Sequence, residues 1–465
     1  MLKSINPADE SVVGEVINSR EKEVSEAVSK ARIAFNSWKN TTYEERGKLM
    51  QKVIDLMNER KDQLGELVTK EMGKPIDSGI GEISGEAGDD KYMIDNVKKW
   101  LIDDSIVVGD TTTENKITFE PVGVVAAITP WNYPFSIPMG QTVPSILAGN
   151  TIIIKPSEYT PLIAVEIARL FKDAGFPEGV VNIVTGDKET GKLLVESNID
   201  VITLTGSVTA GKHVAEKAGS KLKRVVLELG GSDPFIVCSD ANLERAVNAA
   251  VWGRYNNCGQ ICCSSKRFYI HEGVYDEFLK KFIEKTKILK VGDPMNKETQ
   301  IGPLVSDIQL SRLEEQLKRA VESGAKLLLG GKRIGDTGFF FQPTVLEVTD
   351  NKNPAMQEEV FGPIATIMKV RNCDEAIKFA NDSQYGLAGS VWTEDKEKAQ
   401  KIAKSLQTGT VWINYTLGYN CECPWGGVKN SGIGVINSKY GIMDLVNIKR
   451  IETSKSNKTK EDFWF

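Results

Sequence analysis

The 465-residue chain carries 58 basic and 63 acidic residues, a net charge of -5, with 41% hydrophobic and 26% charged residues. That is an ordinary globular composition, long enough for two or three domains, each with its own core. No basic block points to nucleic acid or an anionic membrane, so the expected partner is a small molecule or a second copy of the chain.

The opening stretch "MLKSINPADESVV" has no basic flank leading into an apolar core and does not read as a signal peptide. The longest apolar runs, such as Val122 to Trp131, fall short of the roughly 18 to 20 residues that cross a bilayer. A cytoplasmic location is expected, and that compartment disfavours a disulfide among the cysteines.

From Glu21 to about Lys74 the spacing of Leu49, Val53, Leu56, Met57, Leu64, Leu67 and Val68 predicts two or three amphipathic helices. Trp100 to Pro121 turns to short β-prone runs around "GDTTTEN" and predicts a hairpin. "TIIIK" (Thr151 to Lys155) predicts a buried strand, followed by a helix with Thr160 as cap, Pro161 at its first position and Gly175 past its end. "VVNIV", "VITLT" and "RVVLEL" (from Val180, Val201 and Arg224) are further strands separated by helical stretches. Such alternation predicts a parallel sheet covered on both faces. A second α/β series begins near Ala241, with strands near "KRFYI" and "AKLLLGG", and runs to about Gly432 before a strand-like "NIKRIETS".

The stretch "NNCGQICCSSKRF" (Asn256 to Phe268) gathers three of the seven cysteines within six residues. Zinc requires about four nitrogen or sulfur ligands at short spacing. Here the C-x3-C spacing is unusual, the only other cluster is Cys421 and Cys423, and the two histidines, His213 and His271, stand elsewhere. Neither histidine has the context of a Cys-His nucleophile pair. Cys238 and Cys373 suit small buried hydrophobes.

Taken with "TPWNYPF", "LTGSVTAGK", "LELGGSDP", "EEVFGP" and "PWGGVKNSG", which stand in that family's order, the cysteine stretch resembles the aldehyde dehydrogenase superfamily over nearly the whole chain. The flavour is that of its short, succinate-semialdehyde-dehydrogenase-like branch. The resemblance implies a Rossmann-like parallel-sheet cofactor domain (1–99 and 122–230, with about 433–447), an α/β catalytic domain (231–432) and a β oligomerisation element (100–121 and 448–465). It implies a homodimer or homotetramer, since a bridging hairpin is an exposed edge that wants a partner.

By the same resemblance Cys262 is the nucleophile, forming a thiohemiacetal and then a thioester. Asn132, with the backbone N–H of Cys262, is the oxyanion donor, and Glu228 is the base that activates the hydrolytic water. Relatives that hand the acyl group to coenzyme A do not generally keep that glutamate, so Glu228 implies a free carboxylic acid product. Cys263 reads as supporting or redox-sensitive, and Cys258 has no assignment.

The G-x-G-x-x-G of dinucleotide folds is absent. "TGSVTAG" instead follows a predicted strand and opens a predicted helix, so Gly206, Ser207 and Gly211 sit where a helix N-terminus holds pyrophosphate. The resemblance adds Trp131, Thr205 and Leu229 to the cofactor site, gives Lys155 and Glu158 to the adenosine ribose, and gives Glu359, with Phe361 beside it, to the nicotinamide ribose. A carboxylate at Glu158 accepts from a 2'-hydroxyl and repels a 2'-phosphate, so NAD is expected over NADP.

A semialdehyde with a far carboxylate wants an arginine in its pocket. Relatives of that type place one eight residues after the Asn or six before the Cys, where this chain has Gly140 and Asn256. The expected substrate is therefore a neutral aldehyde, such as glyceraldehyde, lactaldehyde or an aliphatic or aromatic aldehyde, with succinate semialdehyde as the alternative. Tyr133 and Trp425 resemble two members of the aromatic box of betaine-aldehyde dehydrogenases, but Gly140 replaces the third, so a betaine or amino aldehyde is a remoter alternative. After "SGIG" the chain departs from its relatives with "VINSKYG".

Overall fold

The computed structural model describes residues 1–106 and 113–455. Three helices open the fold after an N-terminal hairpin of Leu2–Ile5 and Val12–Val16. The first runs Glu21–Trp38. The second, Tyr43–Met72, begins at a Thr42/Glu45 capping box and ends at Gly73, whose φ of +89° is the left-handed turn that glycine supplies. The third, Ile76–Trp100, was not anticipated in the sequence. Its inward stripe contains carboxylates, Glu82, Glu86 and Asp90 at four-residue spacing, so an apolar periodicity cannot reveal it. Gly65 and Gly79 let the second and third helices meet closely: a side-chain carbon at Gly79 would lie 2.5 Å from the Gly65 carbonyl oxygen.

Two large sheets follow. The first has the order Gly432–Ile433, Arg224–Glu228, Val201–Thr205, Val124–Ile128, Thr151–Lys155 and Val181–Ile183, parallel except at its first pairing. Alternate residues of its strands enter different cores, Val125, Ala127, Ile152 and Ile154 on one face and Val124, Ala126 and Ile153 on the other. Both faces are therefore covered, as near-continuous apolar strands demand.

The second sheet has seven strands, in the order Lys326–Leu329, Thr344–Val348, Ile364–Val370, Ser265–His271, Asp233–Val237, Ala388–Trp392 and Thr410–Ile413, antiparallel only at the Lys326–Leu329 edge. A third, antiparallel sheet joins Asp104–Ile106, Thr113–Pro121 and Val446–Ser454. The flanks of the predicted hairpin are thus present, while 109–112 of its "GDTTTEN" turn lie outside the described residues.

Two expectations are corrected. Thr160 does not cap its helix (Pro161–Asp173) through its side chain. The buried carboxylate of Glu71, on the second helix, accepts from the N–H groups of Leu162 (2.9 Å) and Ile163 (2.8 Å) instead, a long-range cap that no local pattern encodes. Cys238 and Cys373 are joined as a disulfide with their Cα atoms 6.3 Å apart, not two separate thiols. The topology sets the end of the Asp233–Val237 strand beside the start of the Cys373–Asn381 helix, a contact hidden by a separation of 135 residues.

Candidate active site

The site lies where the C-terminal ends of the six-stranded sheet face the loop that carries Cys262. Thr205 and Glu228 end adjacent strands and are paired in register, as are Ile128 and Lys155 on the next two. Chain leaving Ile128 supplies Trp131 and Asn132 within four residues. The carboxyl ends of parallel strands are where open α/β sheets place ligands.

Cys262 is held by a strained loop. Asn257, Cys258 and Gly259 have φ of +52°, +56° and +70°, three successive left-handed residues after the helix Leu243–Tyr255. Two buried cations fix this loop, mainly through backbone carbonyls. Arg254 reaches Ser264 Oγ (2.7 Å) and the carbonyls of Gly259 (3.1 Å), Val360 (3.2 Å) and Gly362. Lys266 Nζ donates to the carbonyls of Cys262 (2.7 Å) and Ile261 (3.0 Å). Neither was picked out in the sequence: Arg254 stands in the last turn of the helix Leu243–Tyr255 and Lys266 in the strand Ser265–His271.

The Cys262 thiol is held below its usual range, first by the hydrogen bond from Cys263 and then by the Lys266 charge, against the opposing effect of burial. The Cys263 thiol, coupled to it, is pushed up. Cys258 is buried and its thiol is raised to about 12 by desolvation. Asn132 Nδ2 donates one hydrogen to the Gln260 carbonyl at 3.0 Å. An amide carries two such hydrogens, so one is left for another acceptor. Glu228 is buried, its Oε1 has no hydrogen-bond partner among the described residues, and its carboxyl is raised well above the usual range by burial and by the Cys262 charge.

Two cavities meet at Cys262. One, of about 430 Å³, contains Trp131, Asn132, Thr205, Gly206, Ser207, Leu229, Glu359 and Phe361 in its wall. Ser207 caps the helix Val208–Gly219 by accepting from the Ala210 N–H at 3.2 Å. Glu359 accepts from the Gly231 N–H at 3.0 Å, and a side-chain carbon at Gly230 would lie 2.2 Å from its Oε2. Phe361 meets Trp131 edge-on at 5.5 Å. The helix N-terminus and the buried carboxylate suit a dinucleotide's pyrophosphate and ribose. Lys155 and Glu158 lie outside this wall and pair with each other at 3.7 Å. Gly211 packs beneath Leu229, where a side-chain carbon would come within 2.5 Å of the leucine. The helix Asp307–Glu322 adds Gln309, Arg312, Gln316 and Arg319, none of them picked out in the sequence.

The other cavity, of about 390 Å³, is lined by the remaining predicted residues, Tyr133, Gly140, Glu228, Asn256 and Trp425. Leu417, Gly418 and Tyr419 of the loop near its mouth join them. Trp425 stacks on Trp412 at 6.3 Å and exchanges backbone hydrogen bonds with Ile436 (2.9 and 2.7 Å), so the departing "VINSKYG" segment shapes this wall. Glu82, Glu86 and Asp89 of the helix Ile76–Trp100 also line it, carboxylates that the sequence reading missed together with their helix. Among the described residues no group of three or more His, Cys, Asp or Glu is arranged to hold a metal ion. Nor is any described helix long and apolar enough to cross a membrane.

The model of the Aldehyde dehydrogenase family matches residues 1–451. A D-glyceraldehyde dehydrogenase (NADP(+)) of Picrophilus torridus is 37% identical over 460 residues, covering 97% of this chain and 92% of that protein. A succinate semialdehyde dehydrogenase [NAD(P)+] of Escherichia coli is 36% identical over 455 residues, 96% of this chain and 97% of that protein. The crystal structure of a Staphylococcus aureus betaine aldehyde dehydrogenase in complex with NAD+ superposes with a TM-score of 0.96 at 35% identity, covering 100% of this chain and 93% of that one.

Proposed function

The chain belongs to the aldehyde dehydrogenase family, and from that premise we propose that it oxidises an aldehyde to the free carboxylic acid through a covalent adduct on Cys262. The observation that carries this reading is the junction of two cavities at one activated thiol, with Glu228 facing only one of them.

Cys262 Sγ, its thiolate favoured by Cys263 and Lys266, attacks the aldehyde carbon and forms a thiohemiacetal. The developing oxyanion takes the free amide hydrogen of Asn132 and the backbone N–H of Cys262. Bound NAD or NADP supplies the hydride acceptor that turns this adduct into a thioester. Thr205, Gly206, Ser207, Glu359 and Phe361 are the residues that would hold it. Glu228, with an unpartnered oxygen and a raised carboxyl, is suited to take a proton from water, whose attack releases the acid and frees the thiol. NAD is the preferred cofactor in this reading, because Glu158 opposes a 2'-phosphate.

The substrate carries no distal carboxylate. The wall of the cavity that holds Glu228 contains no Arg, Lys or His among the described residues, which supports neutral aldehydes such as glyceraldehyde over succinate semialdehyde. The division into cofactor, catalytic and β bridging parts, a cytoplasmic location and a homodimer or homotetramer complete the proposal. Ile448 and Ile451, 61% and 44% exposed on the outer strand, support self-association.

Initial rates of NADH formation with glyceraldehyde, butanal and succinate semialdehyde test the reading. Turnover of the neutral aldehydes and its loss in Cys262→Ala are expected; a succinate semialdehyde preference of a hundredfold in kcat/KM would contradict the carboxylate argument.

A further inference from the structure

A buried ion pair stands behind Asn132. Lys74, in the connector between the second and third helices, pairs with Glu82, near the start of the third, and their side chains are 1% and 2% exposed. Glu82 Oε1 accepts from the N–H groups of Phe135 (2.9 Å) and Ser136 (3.0 Å). These open the helix Ser136–Leu147, which has no side-chain cap of its own. Glu82 Oε2 takes Lys74, whose ammonium also lies 4.0 Å from the centre of the Tyr133 ring, a cation over an aromatic face. Glu82 lines the smaller cavity, but both its oxygens are engaged, so its charge is spent on the turn that carries Asn132.

The same connector reaches Asn132 from a second side. The Asn132 amide donates to the Gln260 carbonyl at 3.0 Å, and its own carbonyl accepts from Asn257 Nδ2 at 3.1 Å. Gln260 Nε2 donates to the Pro303 carbonyl at 3.4 Å, and Gln260 Oε1 accepts from the Val305 N–H at 3.0 Å. Gly302, next to Pro303, packs against the connector: a side-chain carbon there would lie 1.8 Å from the Gly73 carbonyl oxygen. Asn132 is therefore held between two arms of one support, Lys74 with Glu82 on one side and Gly302 to Val305 with Gln260 on the other. Such support matters because a displacement of about 1 Å at a reacting centre costs on the order of 100-fold in rate.

We propose that Lys74 and Glu82 are positioning residues of the oxyanion site. They fix the turn from Trp131 to Ser136 so that the free amide hydrogen of Asn132 faces Cys262, and they act on the reaction through Asn132. This rests on the reading of Asn132 as the oxyanion donor.

The test is a double-mutant cycle on the full chain with NAD and saturating butanal, read as the first-turnover rate of NADH formation in stopped flow. Lys74→Met and Glu82→Gln are introduced together, so that neither charge is left buried alone. The rate should fall about tenfold, with KM for NAD changed by less than about twofold. In an Asn132→Ala background the same replacement should change the rate by less than about twofold, because the donor it positions is gone. Equal losses in both backgrounds, as a merely structural role predicts, or a rate equal to wild type, would overturn the proposal and leave the activity standing. Tyr133→Leu keeps both charges paired and removes only the ring beneath the ammonium. It should show the same dependence on Asn132, and an equal loss in both backgrounds, or none, would overturn the proposal even where the paired variant does not fold. A wild type that forms no NADH from butanal, or an Asn132→Ala enzyme as fast as wild type, would instead overturn the reading on which the proposal rests.

Discussion

The two cavities that meet at Cys262 are built on different physical terms. In the larger, Glu359 accepts from the Gly231 N–H, and Arg319 of the wall pairs with Glu358 beside it. In the smaller, Glu86 and Asp89 line the wall with no ion pair among the described residues, and Glu228 Oε1 has no hydrogen-bond partner among them. The comparison teaches that a settled wall suits a cofactor common to many reactions, whereas groups left unsatisfied are free to act on what enters.

Breaking the junction itself should have the largest effect. Cys262→Ala removes the covalent route, and kcat should fall at least about 1,000-fold, read as steady-state NADH formation. Glu228→Gln acts on the smaller cavity alone. Its steady-state rate should drop about 100- to 1,000-fold, while stopped-flow traces keep a burst of roughly one NADH per site, because hydride leaves before water is needed. Asn132→Ala weakens both stages, and about a 100-fold loss in kcat, with the burst slowed as well, is expected from one oxyanion donor.

On the cofactor side the effects are smaller. Glu158→Ser should raise the ratio of kcat/KM with NADP to that with NAD by about tenfold, since a carboxylate repels the 2'-phosphate. Lys266→Met removes a positive charge that helps keep the Cys262 thiol below its usual range. The pH midpoint of iodoacetamide alkylation should then move up by about one unit. The sign follows because the thiolate exists above its pKa: losing the cation raises that pKa and leaves less thiolate at neutral pH.

The two walls also differ in how far they could be read in advance. Trp131, Asn132, Thr205, Gly206, Ser207, Glu359 and Phe361 lie in short motifs whose spacing is fixed by strand ends, and they converge on one cavity. Glu82, Glu86 and Asp89 lie on a helix whose inward face is partly acidic. On a helix a run of acids ordinarily reads as a solvated face, so only tertiary packing reveals that this one is buried. Lys266 and Arg254 were hidden for a related reason: both are cations hydrogen-bonded mainly to backbone carbonyls, which leave no mark in the sequence. The Glu71 cap and the Cys238–Cys373 bond are contacts across 91 and 135 residues, beyond any local pattern. Gly140 and Asn256, by contrast, were legible as missing arginines, and both line a cavity whose charged wall residues are acidic.

The central claim is that the acyl group passes through Cys262 and that Glu228 serves only its release. The most direct measurement is mass spectrometry of Glu228→Gln quenched within the NADH burst, after reaction with NAD and butanal. The account predicts a butanoyl adduct on the peptide containing Cys262, in about one-to-one proportion with the NADH formed. Linear NADH formation with no acylated peptide, or an adduct on Cys263 that survives in Cys262→Ala, would contradict it.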